Sequence, residues 1–140
     1  MSQSSVDLVL ESVETDGLRF AGHAGGFTVT IDSGVGAVAP TPPQLVLLAL
    51  GACTGMDVIS ILRKQRQRVT GYTVVLHGER RDEHPRRYTA IEIVHRLRGH
   101  ALDDAGVGRA IELSDTKYCS VMAMLADGAA IRSRFELLPA

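Results

Sequence analysis

The stretch that decides the fold is residues 41–68, TPPQLVLLALGACTGMDVISILRKQRQR. It predicts one long helix, because Thr41 is a suitable N-cap and Gln44, three residues later, completes a capping-box pattern. Two prolines follow Thr41 in the first turn, where a missing N–H costs nothing. Residues 45–62 are apolar on nearly every side, which is typical of a buried helix. At roughly 1.5 Å per residue the helix would be about 40 Å long, enough to cross a small domain.

The middle of this helix carries a pair of glycines, Gly51 and Gly55, with Cys53 between them. Residues four apart share a helix face, so this face is nearly bare and another helix or a ligand can approach it closely. On residue type alone Cys53 is most simply a small buried hydrophobe, as most free cysteines are. Asp57 lies four residues after Cys53 and either hydrogen-bonds near the thiol or pairs with an arginine, the arrangement that we expect.

Composition narrows the class of protein. The chain has 140 residues, of which 45% are hydrophobic and 22% charged, with a formal net charge of -1. We expect a single globular domain over residues 1–140 that does not bind nucleic acid through charge alone. The first residues have neither the basic nor the apolar region of a secretory signal. We therefore expect a cytoplasmic protein whose two cysteines are reactive or structural thiols rather than a permanent disulfide.

The remaining sequence predicts strands on both sides of the long helix, followed by two short helices. The strands cover residues 6–13, 18–23, 27–31, 72–79, 88–98 and 130–138. The fourth and fifth form a hairpin with a polar tip. One short helix, capped by Asp103 or Asp104, should reach about Leu113, and another should run over residues 117–126 after the cap cluster that begins at Ser114. The class is α+β with mainly antiparallel sheet.

A helix that is apolar on all sides needs cover on all sides. A few strands from one short chain do not supply that cover, which favours a dimer in which two chains enclose each other's helices. A membrane span is the weaker interpretation, because the apolar run is interrupted by two glycines and by Asp57.

The second cysteine, Cys119, lies near the start of the last predicted helix, in TKYCSV. Helix N-termini lower thiol pKa values, so on this argument Cys119 is the more activated thiol; the alternative is a capped helix start with a buried cysteine. None of the five histidines has metal-ligand spacing with another or with a cysteine, so we expect no metal and no cofactor. His95 lies on the apolar face of its strand, where we expect a satisfied core histidine.

Two segments resemble the OsmC/Ohr family of thiol peroxidases, and most of all its YhfA-like branch. They are PPQLVLLALGACTGMDV at residues 42–58 and KYCSVMAML at residues 117–125. The resemblance covers nearly the whole chain and implies an OsmC-like fold, with two long central helices wrapped by sheets in an intertwined homodimer. It also implies a site at the dimer interface, where Cys53 attacks the peroxide. Cys119 would then resolve the sulfenic acid as a disulfide that an external dithiol reduces, which reverses the ranking of the two thiols.

The sequence departs from the family at the residues that support the reactive thiol. The peroxidases have a glutamate in the first turn of the long helix, where this chain has Gln44. That glutamate positions an arginine from the N-terminal strands; here His23 is the nearest match and Arg19 the only arginine nearby. Two functions stay open. One is reduction of small organic hydroperoxides in an oxidative stress response, and the other is a dimer that binds a small apolar ligand with weak or no turnover.

Overall fold

The computed structural model describes residues 2–140, which form two compact units that divide between Val46 and Leu47. The first unit contains an antiparallel sheet of three strands in the order β1-β2-β3. These strands are β1 (Asp7–Leu10), β2 (Phe20–Ala24) and β3 (Phe27–Ile31). All three were predicted, although β1 is shorter than the alternating pattern that indicated it.

The long helix, α1, spans Pro42–Lys64 and begins as predicted. The Thr41 backbone N–H donates to Gln44 Oε1 at 3.0 Å, and the Gln44 backbone N–H donates to Thr41 Oγ1 at 3.4 Å. Both hydrogen bonds of the capping box are therefore present, and the Gln44 side chain is used to cap the N-terminus of the helix.

The end of α1 differs from the prediction, because Arg68 is already the first residue of the next strand. Arg66 takes a φ of 59° and its N–H donates to the carbonyl of Arg63, while the N–H of Gln67 donates to that of Leu62. These are the two hydrogen bonds of a Schellman closure, formed here without glycine in the left-handed position.

The second unit contains a mixed sheet of three strands and the two short helices. Besides residues 47–64 of α1, its elements are β4 (Arg68–Arg80), β5 (Tyr88–His100), α2 (Asp104–Leu113), a π-helical turn (Ser114–Tyr118), α3 (Ser120–Leu125) and β6 (Ala130–Pro139). Strands β4 and β5 form the predicted antiparallel hairpin, and β6 pairs with β5 in parallel. Asp103, one of the two caps that the sequence predicted, caps α2 by accepting from the backbone N–H of Gly106.

Within one chain α1 is buried along one stripe only. The buried positions are Leu50, Gly51, Thr54, Val58 and Leu62, which lie at helical spacing. Leu50, Val58 and Leu62 pack into two apolar clusters. The other residues of α1 are half-buried or exposed, and Leu48 and Met56 are 57% and 69% exposed. α1 is long and apolar enough to cross a membrane, but the core helices of soluble proteins can have the same length and composition. One chain therefore leaves part of α1 uncovered, as expected, and burial of that part against a second chain stays a prediction.

Candidate functional site

Three side chains from α1 and from the start of α3 meet in what we term the thiol–carboxylate cluster. Its members are Cys53, Asp57 and Cys119, and one Sγ or carboxylate oxygen from each lies within 4.8 Å of the others. Both thiols are free. Cys53 is half-buried, whereas Cys119 is only 4% exposed. The structure thus brings together the two cysteines that are far apart in sequence, and it adds the carboxylate one helical turn after the first.

Cys119 is positioned by the π-helical turn. Its backbone N–H donates to the carbonyl of Ser114 at 2.9 Å, which is the i→i+5 bond that defines this turn. Cys119 then takes an extended conformation and caps α3, with Sγ accepting from the Met122 N–H at 3.3 Å. The prediction that Ser114 begins a cap cluster for the last helix was wrong, because the helical path continues through that residue and the cap is the cysteine itself.

Burial dominates the ionisation of Cys119. It raises the pKa of this thiol to about 11; the Met122 N–H opposes the rise, and the neighbouring Cys53 sulfur and Asp57 carboxylate add to it. Cys119 is therefore protonated at neutral pH. The argument that a helix N-terminus makes Cys119 the more activated thiol fails here, because α3 has only six residues and desolvation outweighs it.

The cluster's carboxylate is held by a buried hydroxyl rather than by an arginine. The Ser114 hydroxyl donates to Asp57 Oδ2 at 3.0 Å, and a second hydrogen bond of 3.0 Å joins the Ser114 and Thr54 hydroxyls. Ser114 and Thr54 are both fully buried. Among residues 2–140 Asp57 forms no ion pair, so the expected arginine partner was wrong. The four-residue spacing from Cys53 had already indicated that Asp57 shares the helix face of this thiol.

The three residues predicted to support the thiol have partners close to them in the first unit. Gln44 closes the capping box. Arg19 Nε donates to Asp32 Oδ2 at 3.2 Å, and His23 Nδ1 lies 2.7 Å from Asp7 Oδ1. The pKa of Asp32 is lowered, first by the N–H groups that follow it in the loop and then by Arg19. Whether any of the three supports Cys53 stays a prediction.

His95 is buried in the core as the sequence predicted, but within residues 2–140 only one of its two ring nitrogens is satisfied, where both were expected to be. It is fully buried, its Nδ1 lies 2.6 Å from the Tyr72 hydroxyl, and the two rings stack with centroids 5.9 Å apart. In the described part of the chain Nε2 has no hydrogen-bond partner. Burial lowers the pKa of His95 to about 4, so the imidazole is neutral in the folded protein.

Strand β4 packs against the face of α1 that carries Gly51 and Gly55. A Cβ on Gly51 would lie 2.5 Å from Leu76 Cδ1, and one on Gly55 would lie 3.3 Å from Val74 Cγ2. A side chain on Gly51 would thus force Leu76 to move. Beside this contact runs an apolar groove of about 420 Å³, lined by α1 and β4 and open to the surface at Met56.

The chain is similar in sequence and in structure to known proteins. Residues 32–134 match the model of the OsmC-like protein family. The chain is 43% identical to Protein YhfA of Escherichia coli K12 over 126 residues, 89% of this chain and 94% of that protein. A hypothetical protein from Aquifex aeolicus VF5 has a similar structure, with a TM-score of 0.89, 31% identity and coverage of 100% and 99%. The organic hydroperoxide resistance protein OhrB of Bacillus subtilis shares the fold alone, with a TM-score of 0.65, 11% identity and coverage of 96% and 98%.

Proposed function

Because the chain belongs to the OsmC-like protein family, we propose that it is a thiol-dependent peroxidase that reduces organic hydroperoxides, with a role in oxidative stress. The observation that carries this proposal is the pair of free thiols, Cys53 and Cys119, whose sulfurs lie within 4.8 Å. OhrB, which shares the fold, is named as an organic hydroperoxide resistance protein. The apolar residues packed around both thiols suit an organic rather than a fully polar peroxide.

The first step falls to Cys53, because it is the more accessible of the two sulfurs. Its thiolate attacks the distal oxygen of the hydroperoxide, so that an S–O bond forms while the O–O bond breaks. The leaving alkoxide takes up a proton and departs as the alcohol. Cys53 is left as a sulfenic acid, the first step of the cysteine oxidation ladder.

The second step falls to Cys119, which attacks the sulfenic sulfur of Cys53. An S–S bond forms, the S–O bond breaks and water leaves. Cys119 must lose its proton in this step, and the Asp57 carboxylate, which has an oxygen within 4.8 Å of its sulfur, would receive it directly or through one water. An external dithiol then returns two electrons and restores both thiols.

We place this chemistry in a homodimer of single-domain, cytoplasmic chains that wrap around each other's α1 helices. The exposure of Leu48 and Met56 supports this arrangement, since one chain leaves an apolar helix face uncovered. Arg19, His23 or a basic residue of the second chain would supply the cation that favours the Cys53 thiolate. Neither nucleic acid nor membrane is part of this proposal.

The test is consumption of cumene hydroperoxide, beside hydrogen peroxide, with dithiothreitol as reductant. We expect faster consumption of the organic peroxide and its loss in Cys53→Ser. Cys119→Ser should still form the sulfenic acid but no internal disulfide. A wild-type protein that consumes neither peroxide would contradict the proposal.

The alternative function is binding of a small apolar ligand with weak turnover. It is favoured by Gln44, which closes the capping box where the family's charged glutamate would stand, and by Arg19, which is held by Asp32. Gln44→Glu keeps the capping box, so it tests the charge alone. We expect the second-order rate constant with cumene hydroperoxide to rise in this variant. An unchanged constant would show that the position does not limit the reaction.

A further inference from the structure

We propose that the reduced thiol–carboxylate cluster is a binding site for one zinc ion, with Cys53, Asp57 and Cys119 as its three protein ligands. This inference does not depend on peroxide turnover. It rests on three potential ligand atoms within 4.8 Å of one another in the folded chain.

The spacing of these atoms is close to that of a zinc site. Zinc binds thiolate sulfur at about 2.3 Å and carboxylate oxygen at about 2.1 Å in tetrahedral geometry. Its ligand atoms are then roughly 3.5 Å apart, and because the three atoms already lie within 4.8 Å of one another, a contraction of at most about 1.3 Å would close the cluster. Rotation of the half-buried Cys53 side chain would contribute to this contraction.

The chemistry of the donors selects the metal. Two thiolates with one carboxylate suit zinc and its analogue cadmium, whereas magnesium and calcium prefer oxygen ligands throughout. Copper(I) prefers sulfur ligands and would leave Asp57 unused. A divalent ion would also offset the two thiolate charges that the apolar surroundings of Cys119 otherwise disfavour.

Neighbouring groups hydrogen-bond to the proposed ligands, as they commonly do in metal sites. The Ser114 hydroxyl donates to Asp57 Oδ2 and so fixes the direction of that carboxylate. The Met122 N–H donates to Cys119 Sγ, an orientation that supports a thiolate ligand. Such outer contacts orient ligands and increase metal affinity. Three protein ligands leave the fourth position to water, as in zinc sites with one open position.

Metal binding and disulfide formation exclude each other at this cluster, because both use the same two sulfurs. Zinc binding releases one proton from each thiol. A hydroperoxide that oxidises the two bound thiolates takes up two electrons and two protons, forming alcohol and water, while the S–S bond forms and Zn²⁺ is released. The ion would therefore be bound only while the protein is reduced.

The test titrates the full-length protein, reduced and stripped of metal, with Cd²⁺ as the probe for the zinc site. We expect one Cd²⁺ per chain and an ultraviolet thiolate-to-cadmium charge-transfer band, with Zn²⁺ displacing the probe. The band should fall by roughly half in Cys53→Ser and in Cys119→Ser, since each removes one of two thiolates. The protein oxidised to its disulfide should give no band. These readouts do not require the protein to turn over peroxide.

The Asp57→Asn variant distinguishes a site with three protein ligands from one in which only the two sulfurs bind the metal. We expect its cadmium affinity to fall at least about tenfold, because even outer-shell partners contribute 10–100-fold. The matched control is Asp82→Asn, which changes an exposed carboxylate at the hairpin tip and should leave affinity unchanged. A reduced wild type without the charge-transfer band, or equal affinity in Asp57→Asn and wild type, would overturn the proposal.

Discussion

The Ser114 hydroxyl donates to Asp57 Oδ2 at 3.0 Å, and this contact ties the π-helical turn to the middle of α1. Each residue lies near one of the two thiols, Asp57 one turn after Cys53 and Ser114 five residues before Cys119. The hydrogen bond therefore links the two elements that must stay in register for the sulfurs to meet.

Removing this hydroxyl should weaken both the fold and the pairing of the thiols. For Ser114→Ala we expect the free energy of unfolding to fall by about 1–3 kcal/mol, since a carboxylate and the buried Thr54 hydroxyl each lose a partner. Urea denaturation of the reduced protein measures the loss. Ser60→Ala, at an exposed position on α1, is the control and should change stability little. Equal stability of the two variants would show that the contact is not stabilising.

The raised pKa of Cys119 predicts how disulfide closure depends on pH. The pKa is about 11, so the thiolate fraction rises about tenfold per pH unit between pH 7 and 9. If Cys119 thiolate is the attacking group, closure after one equivalent of cumene hydroperoxide should accelerate in proportion. Stopped-flow detection of the sulfenic acid and its disappearance measures closure separately from the first step. A closure rate that is flat over this range would contradict attack by a pre-formed Cys119 thiolate and would indicate proton transfer to Asp57 during the attack. Cys119→Ser supplies the baseline.

The lowered pKa of His95 predicts that the folded protein loses stability in mild acid. Its pKa is about 4 in the folded protein and about 6.5 in the unfolded chain, so protons bind preferentially to the unfolded state between these values. Stability is fully present above pH 6.5 and falls as pH drops toward 4, with about 2 kcal/mol lost between pH 7 and 5. Urea denaturation at both pH values measures the difference.

His95→Gln should abolish most of this difference, whereas His77→Gln, at an exposed position of β4, should leave it intact. A pH dependence that survives in His95→Gln would show that another group is responsible.

The exposed face of α1 predicts self-association. We expect light scattering at micromolar concentration to give twice the chain mass, and Met56→Lys to shift the protein toward the monomer by burying an unpaired charge in an apolar interface. Val13→Lys is the matched control, because Val13 is also apolar and 83% exposed but lies outside the helix. A wild type that is monomeric and well folded would contradict the dimer.

Much of the fold could be predicted because it depends on local chemistry. The capping box of Thr41 and Gln44 and the cap of α2 by Asp103 are short-range hydrogen bonds that sequence spacing determines. The end of α1 could not be predicted, since Arg66 adopts a conformation that usually marks glycine. The parallel pairing of β6 depends on contacts between distant segments, which alternation along one strand does not reveal.

The site was predicted in part. Cys53 and Cys119 were found through their resemblance to a family, and their proximity depends on the tertiary fold. Asp57 was recognised as sharing the face of Cys53, but its partner Ser114 is distant in sequence and resembled an ordinary helix cap. The pKa of Cys119 was misjudged because a sequence shows the helix start but not the depth of burial.

The π-helical turn limits where residues can be inserted into or deleted from this chain. An α-helix turns by about 100° per residue, so deleting one residue from the turn would swing the second sulfur about a quarter of the way around the helix axis, away from α1. The same deletion in the exposed tip between β4 and β5 would only shorten a loop. Insertions and deletions should therefore be tolerated at the hairpin tip but not in the five residues of the turn that precedes Cys119.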